Sequence, residues 1–436
     1  MKPPVRWPSR ARLRPWLIFG LITLVSALLG LVSCQSTLDR PPDPVTHLTL
    51  WQGIGPPPNR DVFDALVQRF NDSHPDIQVE SLYVGHPDQQ IPKILTAIVG
   101  NAAPDILWYS PTLTGQLVEL EALEPLEDWL NQSPIQAQLD PALLETMAFE
   151  DHLWSIPFGA NNTAVFYRPS LFQQAGIATP PRTWEELRQV ARALTQDTNG
   201  DGRVDQHGMF LSLGKGEWNV FVWLPFVYSA GGWLQREGRA DLVNPGAIAA
   251  LEFAQTLVQD GSVLLSPPER GFEVDNFLTG KVAMQITGPW TLAQMQGAGI
   301  DFDVFPLPQD QQPATVLGGE NFFLCRTSPK KRQAALEFLA YILSPEFQLD
   351  WATQTGFLPV NLAVRESPAY QAFLAENPLL RVFIDQMAAA RSRPLVPGYA
   401  YLSENFGRAM EATLLGEDPE TALAQAQTRL DLIFSP

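Results

Sequence analysis

Four oxygen-bearing side chains, Asp197, Asn199, Asp201 and Asp205, recur along "DTNGDGRVDQHG" at the spacing of a calcium loop, with Gly202 where such a loop turns sharply. Oxygen ligands at this spacing suit a hard divalent cation. The twelfth position, however, should be a bidentate Glu entering a helix, and here it is Gly208 followed by "MFLSL", which reads as a strand. Asn-Gly and Asp-Gly steps are also what a tight turn needs without metal. The missing ligand favours the turn. Other reactive patterns are sparse. The chain has no His-Glu-x-x-His, no Gly-x-Ser-x-Gly and no phosphate-binding loop, and His47, His74, His86, His152 and His207 lack metal-ligand spacing. No catalytic residue, metal or cofactor is therefore expected. Paired carboxylates across a cleft, as in a glycoside hydrolase, are the reading from a different class.

The aromatic residues are more informative. Of the 12 Trp, Trp51 follows the first expected strand, Trp108 and Tyr109 end the third, and Trp290 follows "KVAMQIT". Ligands of open α/β sheets sit beyond the carboxyl ends of strands, so aromatics there either fill the core or line a cleft. A cleft of that kind suits a sugar ring, with an apolar C–H face and hydroxyls at its edge.

The elements that would position these residues alternate in type. "HLTLW", "IQVESLYV" and "PDILWYS" read as strands separated by helices over "NRDVFDALVQRFNDSHP" and "DQQIPKILTAIVG". The pattern restarts at Leu153: "TWEELRQVARALTQD" begins with a capping box at Thr183 and Glu186, and "NPGAIAALEFAQTLVQDG" enters through Asn244 and Pro245. Strands alternating with helices across short connections indicate an α/β fold with βαβ units.

The N-terminus is different in kind. Lys2, Arg6, Arg10, Arg12 and Arg14 precede an apolar run from Trp16 to Val32, which is the pattern of an export signal. The box Leu-Val-Ser-Cys at its end resembles a bacterial lipoprotein signal. The resemblance implies that the signal segment 1–34 ends at a lipidated Cys34, which becomes the first residue of the mature chain, with the proline-rich 35–46 as a flexible tether. Without those five cations, 24 basic residues face 47 acidic ones, a formal charge of −23. That balance argues against nucleic acid as a partner and against adhesion to anionic lipid headgroups. With Cys34 lipidated, Cys325 has no disulfide partner.

Taken in order, "APDILWYS", "IPFGANNTAVFYRPSLFQQAGIATPPRTWEEL", "DTNGDGRVDQHG", "AGGWL", "FLTGKVAMQITGPW" and "SPKKRQAALEFLAYILSPEFQ…GFLPV" resemble the extracellular solute-binding proteins (family 1) of carbohydrate ABC transporters, the group that includes the maltose-binding protein. The resemblance implies a two-lobe, type II periplasmic-binding-protein fold. Each lobe is a mixed or parallel sheet flanked by helices, and the ligand cleft lies between them. The chain would cross between lobes near 156–161, 304–308 and 356–360. An N-terminal lobe would then comprise 47–157 and 309–356, and a C-terminal lobe 158–308 and 357–436. The implied function is capture of a sugar, oligosaccharide or polyol by a monomer that delivers it to a permease driven by cytoplasmic ATPases. The implied location is the outer face of the cytoplasmic membrane.

Residue by residue, the resemblance places Trp290 against sugar. It places Tyr109 or its neighbour Trp108 beside it, Asn161 at the first crossing, Phe221 or Trp223 at an aromatic subsite, and Gly319 and Glu320 near the mouth, with Arg393 and Tyr399 from "RSRPLVPGY". Two departures, "GIGPPP" in the first loop and Thr112 and Leu113 after the third strand, remove charges and argue against maltodextrin itself but not against a small polyol or disaccharide. A phosphorylated polyol such as glycerol 3-phosphate, with Arg393 as phosphate partner, is the alternative ligand within the same class.

Overall fold

Leu48 and Leu50 alternate with outward-facing neighbours along the strand Thr46–Gln52, and that period-two burial places the strand at the heart of a sheet. The computed structural model describes residues 44–85, 87–266, 274–396 and 398–433. Cys34, the signal segment, most of the tether and His86 lie outside the described residues. Residues His47–Pro436 cluster as one unit.

The strands of the two main sheets, in chain order, are β1 (Thr46–Gln52), β2 (Ile77–Tyr83), β3 (Ile106–Tyr109), β4 (Ser155–Pro157), β5 (Ala164–Tyr167), β6 (His207–Ser212), β7 (Val263–Ser266), β8 (Val282–Thr287), β9 (Asp303–Phe305) and β10 (Asn321–Leu324). One five-stranded sheet has the order β2-β1-β3-β10-β4, and the other β7-β6-β8-β5-β9. The two orders are equivalent. In each, the third strand is parallel to the second (Leu50↔Ile106; Met284↔Met209), and the fourth and fifth are each antiparallel to the strand before them. The expected βαβ units thus supply the parallel half of each sheet. The antiparallel fourth strand is the one that follows a crossing from the other lobe.

Local signals hold the helices where the sequence indicates. Thr183 and Glu186 form the reciprocal capping box, and the Asn244 side chain accepts from the Ala247 N–H at the start of the helix Pro245–Gln259. The helix Pro57–Ser73 buries Phe63, Leu66, Val67 and Phe70. Phe63 packs among Phe158, Phe322, Phe347 and Trp351, joining that helix to the sheet and to the helix Pro345–Thr355. The helix Glu217–Ser229 escapes sequence reading. Every residue from Asn219 to Ser229 is buried, so it lacks the polar stripe that makes helical periodicity visible.

Three segments join the lobes and pair with one another. Ala160 and Leu358 exchange N–H···O bonds of 3.0 and 2.9 Å, Asn161 and Gly318 exchange bonds of 3.1 and 2.8 Å, and the Phe158 N–H donates to the Glu320 carbonyl at 3.1 Å. Two of these segments run through Phe158–Asn161 and Leu358. The second expected crossing does not lie at 304–308. Beyond it, Gln309 still exchanges hydrogen bonds with Arg182 and Trp184, Gln311 and Gln312 donate to the Ser229 carbonyl, and Thr315–Val316 pairs with Ala390–Arg391. Pro306 and Pro308 end strand pairing but do not take the chain out of the lobe, and the crossing comes at Leu317–Glu320.

Candidate functional site

A cavity of about 410 Å³ lies between the two sheets, walled by both lobes and floored by the crossings. From the first lobe, β3 delivers Trp108 and Tyr109 at its carboxyl end, and the helix Pro345–Thr355 delivers Trp351. From the second lobe, the turn after β8 delivers Trp290, and the helix Glu217–Ser229 delivers Glu217, Trp218 and Phe221. The crossings contribute Phe158, Asn161, Gly319, Glu320 and Phe357. The lobes also touch beside the cavity: the turn Pro111–Leu113 packs on the helix Tyr399–Leu414, and a Cβ at Gly356 would stand 3.0 Å from the Pro289 carbonyl.

The aromatic side chains form a connected wall. Trp290 meets Trp218 edge-on at 6.1 Å between centroids, Phe221 at 6.4 Å and Phe357 at 6.4 Å, and Phe357 continues to Trp351 at 5.3 Å. Gly288 is what allows Trp290 its place, because a Cβ there would sit 2.0 Å from the indole ring. Polar groups stand within this wall. Asn161 Oδ1, Trp108 Nε1 and Trp351 Nε1 are buried without a protein hydrogen-bond partner, a condition that costs free energy unless something else pairs with them.

Charge is concentrated on the second lobe. The Glu217 carboxylate accepts from Arg393 Nη1 at 2.9 Å, from the Tyr399 hydroxyl at 2.9 and 3.1 Å, and from the Ser403 hydroxyl. The Arg393 guanidinium also stacks 5.0 Å over Phe221. Lys215 pairs with Glu404 at 2.6 Å. Burial pushes the Glu320 carboxyl up to about 7, against the pull of the Arg393 charge. A carboxyl raised this way binds its proton more tightly in the folded chain than in the unfolded one, where it titrates near ~4.3. Its contribution to stability is therefore lost as pH rises from that value through about 7. The melting temperature of the wild type relative to Glu320→Gln should fall between pH 5 and pH 8. A difference that stays flat across that range would contradict the burial of this carboxyl.

Of the residues singled out by sequence, Trp108, Tyr109, Asn161, Phe221, Trp290, Gly319, Glu320, Arg393 and Tyr399 come together around the cavity. Trp51 and Trp223 do not. Trp51 faces the other side of the first sheet, beneath Lys93 Nζ at 4.9 Å. Trp223 is fully buried, donates to the Ala250 carbonyl at 3.1 Å and stacks on Phe226 at 4.1 Å. On a helix, residues two apart point about 200° from each other, so Phe221 and Trp223 cannot both face the cleft. Sequence reasoning missed Glu217, Trp218, Trp351, Phe357 and Ser403. Glu217 and Phe221 are four apart on one helix face, a signal that becomes readable only once that helix is recognised.

The loop 197–208 lies away from this cavity. Asp197 accepts from the Gly200 and Gly202 N–H groups at 2.6 and 2.7 Å, and Asp205 accepts from the Thr198 N–H and hydroxyl at 2.9 Å each. The Gly202 N–H, with those of Gly200, Asp201 and Asn199, holds the Asp197 carboxyl below the usual carboxylate range. These carboxylates close the turn themselves. A chelator should leave the melting temperature unchanged, because a tightly held cation would add several kcal/mol at saturating concentration. A clear drop on adding EDTA would overturn the turn reading.

Among known proteins, the sn-glycerol-3-phosphate-binding periplasmic protein of Salmonella typhimurium is 23% identical over 369 residues, spanning 81% of this chain and 83% of that one. The solved structure of an ABC transporter solute-binding protein from Thermotoga lettingae, bound with α-D-tagatose, has a TM-score of 0.78 at 26% identity and covers 89% of this chain and 99% of its own. The maltose/maltodextrin-binding domain from Bdellovibrio bacteriovorus, bound to maltotriose, shares the fold with a TM-score of 0.77 at 24% identity, covering 90% of this chain and 100% of that one. A family model described as bacterial extracellular solute-binding protein matches residues 65–379. With two lobes, three paired crossings and a cavity between them, and with that match over most of its length, the chain belongs to the bacterial extracellular solute-binding proteins.

Proposed function

We propose that the inter-lobe cavity captures a sugar or related small polyol and that the protein hands it to the permease of an ABC importer. One observation carries this reading: a connected aromatic wall around the cavity, with carboxyl, amide and hydroxyl side chains standing beside it. A sugar ring matches both halves of that surface. Its C–H face lies on indole or phenyl, and its hydroxyls can pair with polar side chains that line the cavity, among them Glu217, Glu320 and Tyr399. Closure around the solute is then a population shift, since contacts from both walls form only in the closed state. Solved relatives carrying tagatose and maltotriose support a carbohydrate.

A second reading, a phosphorylated polyol, has a curated relative behind it. Mass spectrometry of solute released from natively purified protein, followed by calorimetric titration with a panel of sugars and with glycerol 3-phosphate, decides between them. Recovery of a neutral sugar or polyol that binds one to one supports the proposal, and turnover of the solute would sink it.

The same proposal places the mature protein on the membrane as a monomer tethered through lipid on Cys34. Its support is the basic-apolar segment ending in Leu-Val-Ser-Cys. The wild type should partition into detergent and Cys34→Ser should not. A wild type found wholly in the aqueous phase would refute the anchor.

A further inference from the structure

The cations that line the cavity are Lys215 and Arg393, and both are already engaged. Lys215 is held by Glu404 at 2.6 Å. Arg393, of which 9% is exposed, is held by Glu217 at 2.9 Å, and Tyr399 and Ser403 hold the same carboxylate from other sides. Glu217 thus balances Arg393, and Glu404 is shared between Lys215 and Arg408. A phosphate entering this space would find both lining cations already paired with carboxylates. At Arg393, whose Nη1 is spent on Glu217, it would lie against a carboxylate that four hydrogen bonds hold in place. Removing one partner of a buried, hydrogen-bonded charge pair leaves the other uncompensated, which is strongly unfavourable. Like-charge juxtaposition is also a recognised way for a site to reject the wrong partner.

We propose that Glu217 is a specificity-determining residue: by holding Arg393 it makes the cleft reject anionic solutes and admit their neutral counterparts. This rests on the reading of the cavity as the solute site. The positions of Arg393 and Tyr399 suit either ligand class, and the carboxylate between them decides which is taken.

The probe is sn-glycerol 3-phosphate, titrated calorimetrically at pH 7.5 into the full mature protein, Glu217→Gln and Glu320→Gln. Wild type should bind it at best in the millimolar range. Glu217→Gln, which removes the charge but keeps the shape, should gain roughly tenfold to a hundredfold, the worth of one hydrogen bond to a charged group. Glu320→Gln removes whatever charge that carboxyl carries at this pH without releasing Arg393 and should gain less. Tight binding by wild type would overturn the proposal, and it needs no variant to fold. Equal gains in the two variants, or none in a Glu217→Gln protein that melts like wild type, would overturn it too. Failure of the underlying reading looks different: native solute would bind Trp290→Ala as well as it binds wild type.

Discussion

Trp290→Ala is expected to weaken solute binding by roughly thirtyfold or more, about 2 kcal/mol, while the unliganded melting temperature stays near that of wild type. Trp290 stands at the centre of the aromatic wall, within 6.1–6.4 Å of Trp218, Phe221 and Phe357. Its ring borders the cavity of about 410 Å³, so truncation widens an existing space and does not hollow out a packed core. Only 8% of it is exposed, and its ring neighbours are Trp218 and Phe221 on its own lobe and Phe357 on a crossing. A buried Trp in a true core would cost about 3–5 kcal/mol of stability on truncation. Calorimetric affinity and a melting curve on both proteins distinguish the two outcomes. A large fall in melting temperature with affinity preserved would remove Trp290 from the site.

Gly208→Ala should do the reverse, destabilising the fold by about 1–3 kcal/mol or more while leaving affinity unchanged once the protein is folded. Gly208 opens β6, where the helix Trp184–Ala193 packs so closely that a Cβ would stand 2.0 Å from the Ala191 carbonyl oxygen. That contact is backbone against backbone, so no side chain can yield. Denaturant unfolding of the two proteins measures the loss, and an alanine variant as stable as wild type would show that the helix can shift freely. The same contact explains why the loop 197–208 ends without a carboxylate. Its twelfth position is occupied by strand-to-helix packing, which leaves no room for a metal-binding side chain there.

Much of the fold was legible in the sequence because its determinants are local. Leu48 and Leu50 alternate, Phe63, Leu66, Val67 and Phe70 recur at helical spacing, and Thr183 and Glu186 cap a helix they themselves begin. Strands ending in Trp108, Tyr109 and Trp290 pointed to an aromatic cleft, because side chains at strand ends emerge where a sheet opens. What the sequence could not supply was decided at long range. The second crossing came later than Pro306 and Pro308 suggested, since backbone bonds to Arg182, Ser229 and Arg391 keep that stretch on its lobe. Phe221 and Trp223 were equivalent as letters, and only the helix rotation sent one to the cleft and the other to the core. Glu217 was invisible as a site residue. Its partners Arg393, Tyr399 and Ser403 lie 176–186 positions away, and the fold alone brings them to one carboxylate.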